Sequence, residues 1–146
     1  MRRNKASVKV LRADLAVTTS YVVTSSQELG EFDNAVVYID YENNGAANNI
    51  QFYIEHSPDG VSYYRETSEE IDSSTAITTI KQAVRTFLST VSTGEVDSFE
   101  FPIQCPERNV RLFVKETVAA GSAGSVKISI LPLDVESKRI NQPNQI

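Results

Sequence analysis

Apolar and polar residues alternate along much of this chain with the two-residue period of half-buried β-strands, not the 3.6-residue period of helices. Ile50, Phe52, Ile54 and His56 alternate with Gln51, Tyr53, Glu55 and Ser57. Val110, Leu112 and Val114 alternate with Arg111, Phe113 and Lys115, and Val126, Ile128 and Ile130 with Lys127, Ser129 and Leu131. Ala35 to Tyr41 is apolar on both faces, as a strand flanked by neighbours should be. Thr18 to Thr24 is β-branched and aromatic, and Ser98 to Ile103 is a short strand ending around Pro102.

Turn chemistry separates these runs. Ser57-Pro58-Asp59-Gly60 places Pro and Gly where a tight reversal needs them, between Ile50–His56 and Val61–Arg65. Asn43-Asn44-Gly45 predicts a hairpin between Val36–Tyr41 and Ile50–His56, and Ala119 to Gly124 is a small-residue link between the last two strands. Ile77, Ile80, Val84, Phe87 or Leu88, and Val91 recur at helical spacing. The threonines around them are poor helix formers, so two strands are predicted over 75–91, with a short helix as the alternative. Strands at this spacing, joined by hairpin signals, give an all-β fold: an antiparallel β-sandwich, jelly-roll-like, with extended polar arms. Residues 1–13 read as a basic N-terminal arm, 14–133 as the sandwich domain and 134–146 as a polar C-terminal arm.

Length and composition agree with one domain: 146 residues, 40% hydrophobic and 23% charged. No apolar run is long enough for a membrane helix, and no apolar segment follows the basic start, so a soluble product without its own secretion signal is expected. The single Cys105 and single His56 leave no internal disulfide and no Cys- or His-rich metal site, so no metal and no cofactor are expected. Charge is polarised. Residues 1–12 hold Arg2, Arg3, Lys5, Lys9 and Arg12 and no acid, which leaves 9 basic against 19 acidic residues, a net of −10, for the rest. A basic arm without aromatics suits an acidic protein neighbour better than nucleic acid.

Nothing in the sequence carries a strong catalytic signal. Asp40-Tyr41-Glu42-Asn43-Asn44-Gly45 starts like a calcium loop, but Gln51 stands where the bidentate Glu belongs. His56-Ser57 near Asp59 are three neighbouring turn residues, whereas triads are assembled from distant segments. Glu66, Glu69 and Glu70 cluster after Tyr63-Tyr64; a solvated edge accounts for them better than glycoside hydrolysis does. Tyr21, Tyr38, Tyr41, Tyr53, Tyr63 and Tyr64 suit a protein interface or a glycan platform, although Trp, the largest stacking surface, is absent.

The runs Tyr38-Ile39-Asp40-Tyr41 and Phe52 to Gly60 leading to Tyr63-Tyr64 resemble those of small β-sandwich structural proteins of tailed bacteriophages. So do Phe101-Pro102-Ile103, Arg111 to Lys115 and Gly121 to Ile130; the resemblance spans roughly residues 30–133 and excludes the basic arm and Ile77–Val91. It implies a non-enzymatic virion protein, foremost a capsid decoration (cement) protein that binds the head shell, assembled in the host cytoplasm. Its partners would be the major capsid protein or other virion subunits and further copies of itself, a trimer being the expected oligomer, with no membrane and no nucleic acid. On the charge argument alone, Arg2, Arg3, Lys5, Lys9 and Arg12 would contact the partner, and Tyr63 and Tyr64 are the interface or glycan-contact candidates. A neck or tail-completion subunit is the first alternative and a carbohydrate-binding module the second.

Overall fold

The computed structural model describes residues 7–30, 32–44, 49–89, 94–104, 109–117 and 123–133. The strands among them are β1 (Lys9–Val17), β2 (Val22–Val23), β3 (Gln27–Glu28), β4 (Asn34–Glu42), β5 (Ile50–Ser57), β6 (Tyr64–Arg65), β7 (Thr67–Ile71), β8 (Thr78–Gln82), β9 (Arg85–Phe87), β10 (Val96–Gln104), β11 (Asn109–Glu116) and β12 (Gly124–Leu133). Every pairing between them is antiparallel. Sheet A runs β1-β12-β4-β10; sheet B runs β2-β11-β5-β6, with β3 also on β11 and β9 also on β5. The chain changes sheet at β1 to β2, β3 to β4, β4 to β5, β9 to β10, β10 to β11 and β11 to β12. That alternation is the jelly-roll form of a sandwich.

The core follows from the alternation. From sheet A, Leu11, Val17, Val37, Ile39, Tyr41, Ile103, Val126, Ile128 and Ile130 point inward, and from sheet B Ile50, Phe52, Ile54, Val110, Leu112 and Val114 meet them. Burying each such side chain stabilises by about 1.5–3 kcal/mol. Along the β9–β10 side the gap is filled by aromatics. Phe52 stacks on Phe101 at 5.0 Å between ring centres, and Phe87 lies on Phe99 at 3.7 Å. A polar bolt crosses the interior near the start of β12. The buried Glu116 carboxylate accepts from the Tyr41 hydroxyl at 2.7 Å and from the Gly124 amide at 2.9 Å. Burial, and then that bond, push the Tyr41 hydroxyl well above its ordinary pKa.

Several sequence expectations change. Asn43-Asn44 does not open a hairpin, because β4 already has β12 and β10 on its two sides and β5 belongs to the other sheet. Thr18–Thr24 contributes only Val22–Val23 as strand. The basic arm is shorter than read: β1 starts at Lys9 and pairs with β12. Two register shifts, between Val10 and Arg12 and between Arg12 and Leu15, break the alternation that would have marked it as a strand. The 75–91 stretch holds strands β8 and β9, and the described residues contain no helix. Residues 1–6 of the predicted N-terminal arm, the C-terminal arm 134–146, Cys105 and Val91 lie outside the described residues.

Candidate docking surfaces

Between β6 and β9 the chain leaves the sandwich as a hairpin. β7 and β8 form a sheet of their own, joined to no strand of sheets A or B. All residues of both strands are exposed. At the root, the Glu66 amide donates to the Ile54 carbonyl at 3.0 Å, and the Ala83 amide donates to the Glu66 carbonyl at 2.9 Å. At the tip, the Asp72 carboxylate accepts from the Ser74 amide at 2.8 Å and the Ser74 hydroxyl at 2.6 Å, which holds its pKa below the usual range. A two-stranded ribbon of this kind is marginal in water alone.

The register sorts the hairpin into two faces. Glu69 is opposite Ile80, and Ile71 opposite Thr78, so both isoleucines share one face with Thr67 and Gln82. Ser68, Glu70, Thr79 and Lys81 share the other, closed by a Lys81–Glu70 ion pair at 2.6 Å. Ile71 is 72% exposed, Ile80 66% and Ile77, beside the tip, 61%. Three large aliphatic side chains thus lie exposed close together on one small ribbon.

The root is fastened by charge. His56 Nε2 lies 3.0 Å from the Glu66 carboxylate, whose other oxygen accepts from Arg85 at 2.9 Å. Burial on its own would raise the Glu66 pKa, but hydrogen bonds to His56 and Arg85, together with their charge, outweigh it and hold the group below its ordinary value of 4.5. A carboxylate with a depressed folded-state pKa stabilises fully above the unfolded value, and that contribution is lost as pH falls through the folded one. Glu66→Gln is therefore expected to be less stable than the parent near neutrality, with the gap narrowing as the medium is acidified below about pH 4. Urea midpoints at pH 7 and pH 3 measure it; an equal gap at both would remove the ionised root.

The outer face of sheet B is the second unusual surface. Tyr53 packs in parallel on Phe113 at 4.6 Å and receives the Tyr21 ring edge-on at 4.8 Å. The Arg65 guanidinium lies 3.4 Å above the Tyr53 ring, Arg111 lies 3.8 Å from the Tyr63 ring centre, and the Lys115 ammonium lies 4.8 Å from that of Tyr21. Arg111 also pairs with Glu55 at 2.7 Å. Val23, opposite Phe113 in the register, extends this floor. The floor reaches the hairpin, because Arg65 also donates to the Gln82 side chain.

The residues singled out in the sequence fall into distinct places. Arg2, Arg3 and Lys5 lie outside the described residues. Lys9 is exposed on β1, whereas Arg12 is turned back on its own strand, donating to the Ala16 carbonyl at 2.6 Å and the Leu15 carbonyl at 3.3 Å. Arg12 thus staples a bulge instead of reaching outward. Tyr63 lies under Arg111, while Tyr64 is 61% exposed. His56 turns to Glu66, and Ser57 and Asp59 instead tie the turn: the Gly60 amide donates to Ser57 Oγ at 2.8 Å and the Val61 amide to Asp59 Oδ1 at 2.8 Å. Asp40 accepts from the Ser98 hydroxyl at 2.6 Å within sheet A. Glu66 is fixed at the root, and Glu69 and Glu70 occupy opposite hairpin faces, so the three do not converge. Sequence reasoning passed over Phe113 and Val23; an aromatic at an outward strand position was the signal for Phe113.

No family model and no curated protein matches the chain. Among solved structures it is similar to the Clostridium thermocellum N-terminal endo-1,4-beta-D-xylanase 10B, a CBM22-1–GH10 module pair complexed with xylohexaose, at 10% identity and a TM-score of 0.40. The alignment covers 88% of this chain and 25% of that one.

Proposed function

We propose that this protein is a non-enzymatic structural subunit of a tailed-phage virion, a decoration protein that attaches to the head shell. The observation that supports this best is the projecting hairpin, which carries Ile71, Ile77 and Ile80 into solvent on a ribbon too slight to hold such side chains for its own sake. A subunit whose work is attachment needs a rigid body and a protruding contact, and the jelly roll with its inserted ribbon supplies both. Each contact is modest; neighbouring copies on one shell raise the effective concentration for the next, and bound copies stabilise the assembled state by mass action. The major capsid protein is the partner this reading names, and a neck or tail-completion position uses the same contact in a ring.

Heads purified without the protein test the reading by co-sedimentation. The parent chain is expected to bind saturably. Ile71→Asp/Ile80→Asp removes two contacts of about 1.5–3 kcal/mol each and so weakens binding at least about 100-fold. A parent chain that ignores heads overturns the proposal. A second reading rests on Tyr64, the most exposed tyrosine of the described set: a glycan-binding module would retain glycans on an array and lose them in Tyr64→Ala.

A further inference from the structure

The hairpin's isoleucine face carries one carboxylate. Glu69 sits directly across from Ile80 and two positions from Ile71, on the same face as both. A surface that covers this face must offer apolar area with a cation inside it. The outer floor of sheet B has that composition: Lys115 follows Phe113 on the same face of β11, Val23 lies across from Phe113, and the Lys115 ammonium rests on the Tyr21 ring and meets no carboxylate among the described residues. In a chain whose residues beyond position 12 carry a net charge of −10, such a cationic apolar floor is a local exception. The hairpin of the same copy does not lie on it, since every residue of β7 and β8 is exposed.

We propose that the hairpin of one copy lies across the outer face of sheet B of a second copy, Ile71 and Ile80 covering Tyr21, Val23 and Phe113, with Glu69 paired to Lys115. The occupant is a second copy because both halves of the complement, the acidic apolar ribbon and the cationic apolar floor, occur on this chain. A twofold pairing of two hairpins through the same face is disfavoured, because it brings the two Glu69 carboxylates together as the isoleucines close. The contact is heterologous: each copy gives a ribbon and receives one, so copies join head to tail and close into a ring when the rotation permits. One isoleucine face cannot serve a neighbouring copy and the shell at once, so this contact belongs to the free protein, which exchanges it for the shell on attachment; the inference rests on the assembly reading above for its biological setting only.

Sedimentation velocity on the full chain, over a range of concentration and salt, tests it. The parent is expected to self-associate, more weakly as salt screens the Glu69–Lys115 pair. Glu69→Lys and Lys115→Glu, both surface changes, should each weaken association at least tenfold, and the two combined in one chain should restore it to within a few-fold of the parent. Mixing a hairpin-defective chain (Ile71→Asp/Ile80→Asp) with a floor-defective one (Val23→Asp) should give dimers that grow no further, since one good ribbon and one good floor remain. Association lost in Glu69→Lys but untouched by Lys115→Glu, or not restored by the exchange, overturns the proposal. A parent chain that stays monomeric yet binds heads through its hairpin overturns it too while leaving the proposed function standing. Oligomers that behave as expected but ignore heads support it and overturn the virion assignment instead.

Discussion

Replacing Glu116 with alanine is expected to lower the unfolding free energy by about 2–6 kcal/mol, because two buried donors then lose their acceptor at about 1–3 kcal/mol each. Glu116 is 2% exposed and ties β11 of sheet B to two strands with which it shares no hydrogen-bonded edge, β4 and β12 of sheet A, which supply the Tyr41 hydroxyl and the Gly124 amide. Gly124→Ala attacks the same place from the other side. A Cβ there would stand 2.6 Å from the Glu42 carbonyl oxygen and 2.8 Å from a Tyr41 ring carbon, so strand β12 has to retreat from β4, at a cost of about 1–3 kcal/mol. Urea titrations of both single variants and of the double measure the effect. Because both residues touch Tyr41, the double should cost clearly less than the two losses combined. Single variants within 0.5 kcal/mol of the parent would show that the bolt contributes nothing.

Phe52→Ala should cost about 3–5 kcal/mol, the range for removing a fully packed aromatic. Phe52 is 3% exposed on the inner face of β5, stacked on Phe101 and tilted against Phe99 at 6.4 Å. Phe99 in turn lies on Phe87 of β9, and Arg85 of the same strand lies 5.5 Å from the Phe101 ring. Losing Phe52 thus loosens the side of the sandwich from which the hairpin emerges, and Arg85 is one of the two groups that hold Glu66. Phe52→Leu, which keeps most of the volume, should recover more than half of the loss. Thermal unfolding of the pair checks this, and the idea fails when the alanine variant melts within a degree or two of the parent.

The strands that pair over long, regular registers were legible in the sequence. β5, β11 and β12 each announce their inward face by alternation, because a shift of one residue would turn a whole apolar set to water, and β4 announces its central place by being apolar on both faces. Which sheet each strand joins was not legible. Asn43-Asn44-Gly45 has hairpin chemistry, yet long-range pairing of β4 with β12 and β10 outweighs local turn preference, a decision that residues far along the chain make. β1 was hidden by its bulges, which place Leu11 inward while Arg12 bonds back to its own strand. The docking surfaces were half visible. Tyr63 and Tyr64 were noticed as aromatics, and the acidic run before Ile71 as an edge. The pairing that puts Glu69, Ile71 and Ile80 on one face needs the register of β7 against β8, which no spacing within 75–91 specifies.

The place of β12 has a consequence for how the molecule comes into being. The last strand among the described residues, it lies between β1 and β4, so neither has this neighbour until the chain has been synthesised through residues 124–133. During translation both would present open edges to any nearby extended peptide. Pairings this distant in sequence also make for folding in milliseconds to seconds rather than microseconds. A nascent chain of this design needs shelter or speed at the ribosome exit, and a ribosome stalled just before residue 124 would hold out a ready template for aggregation.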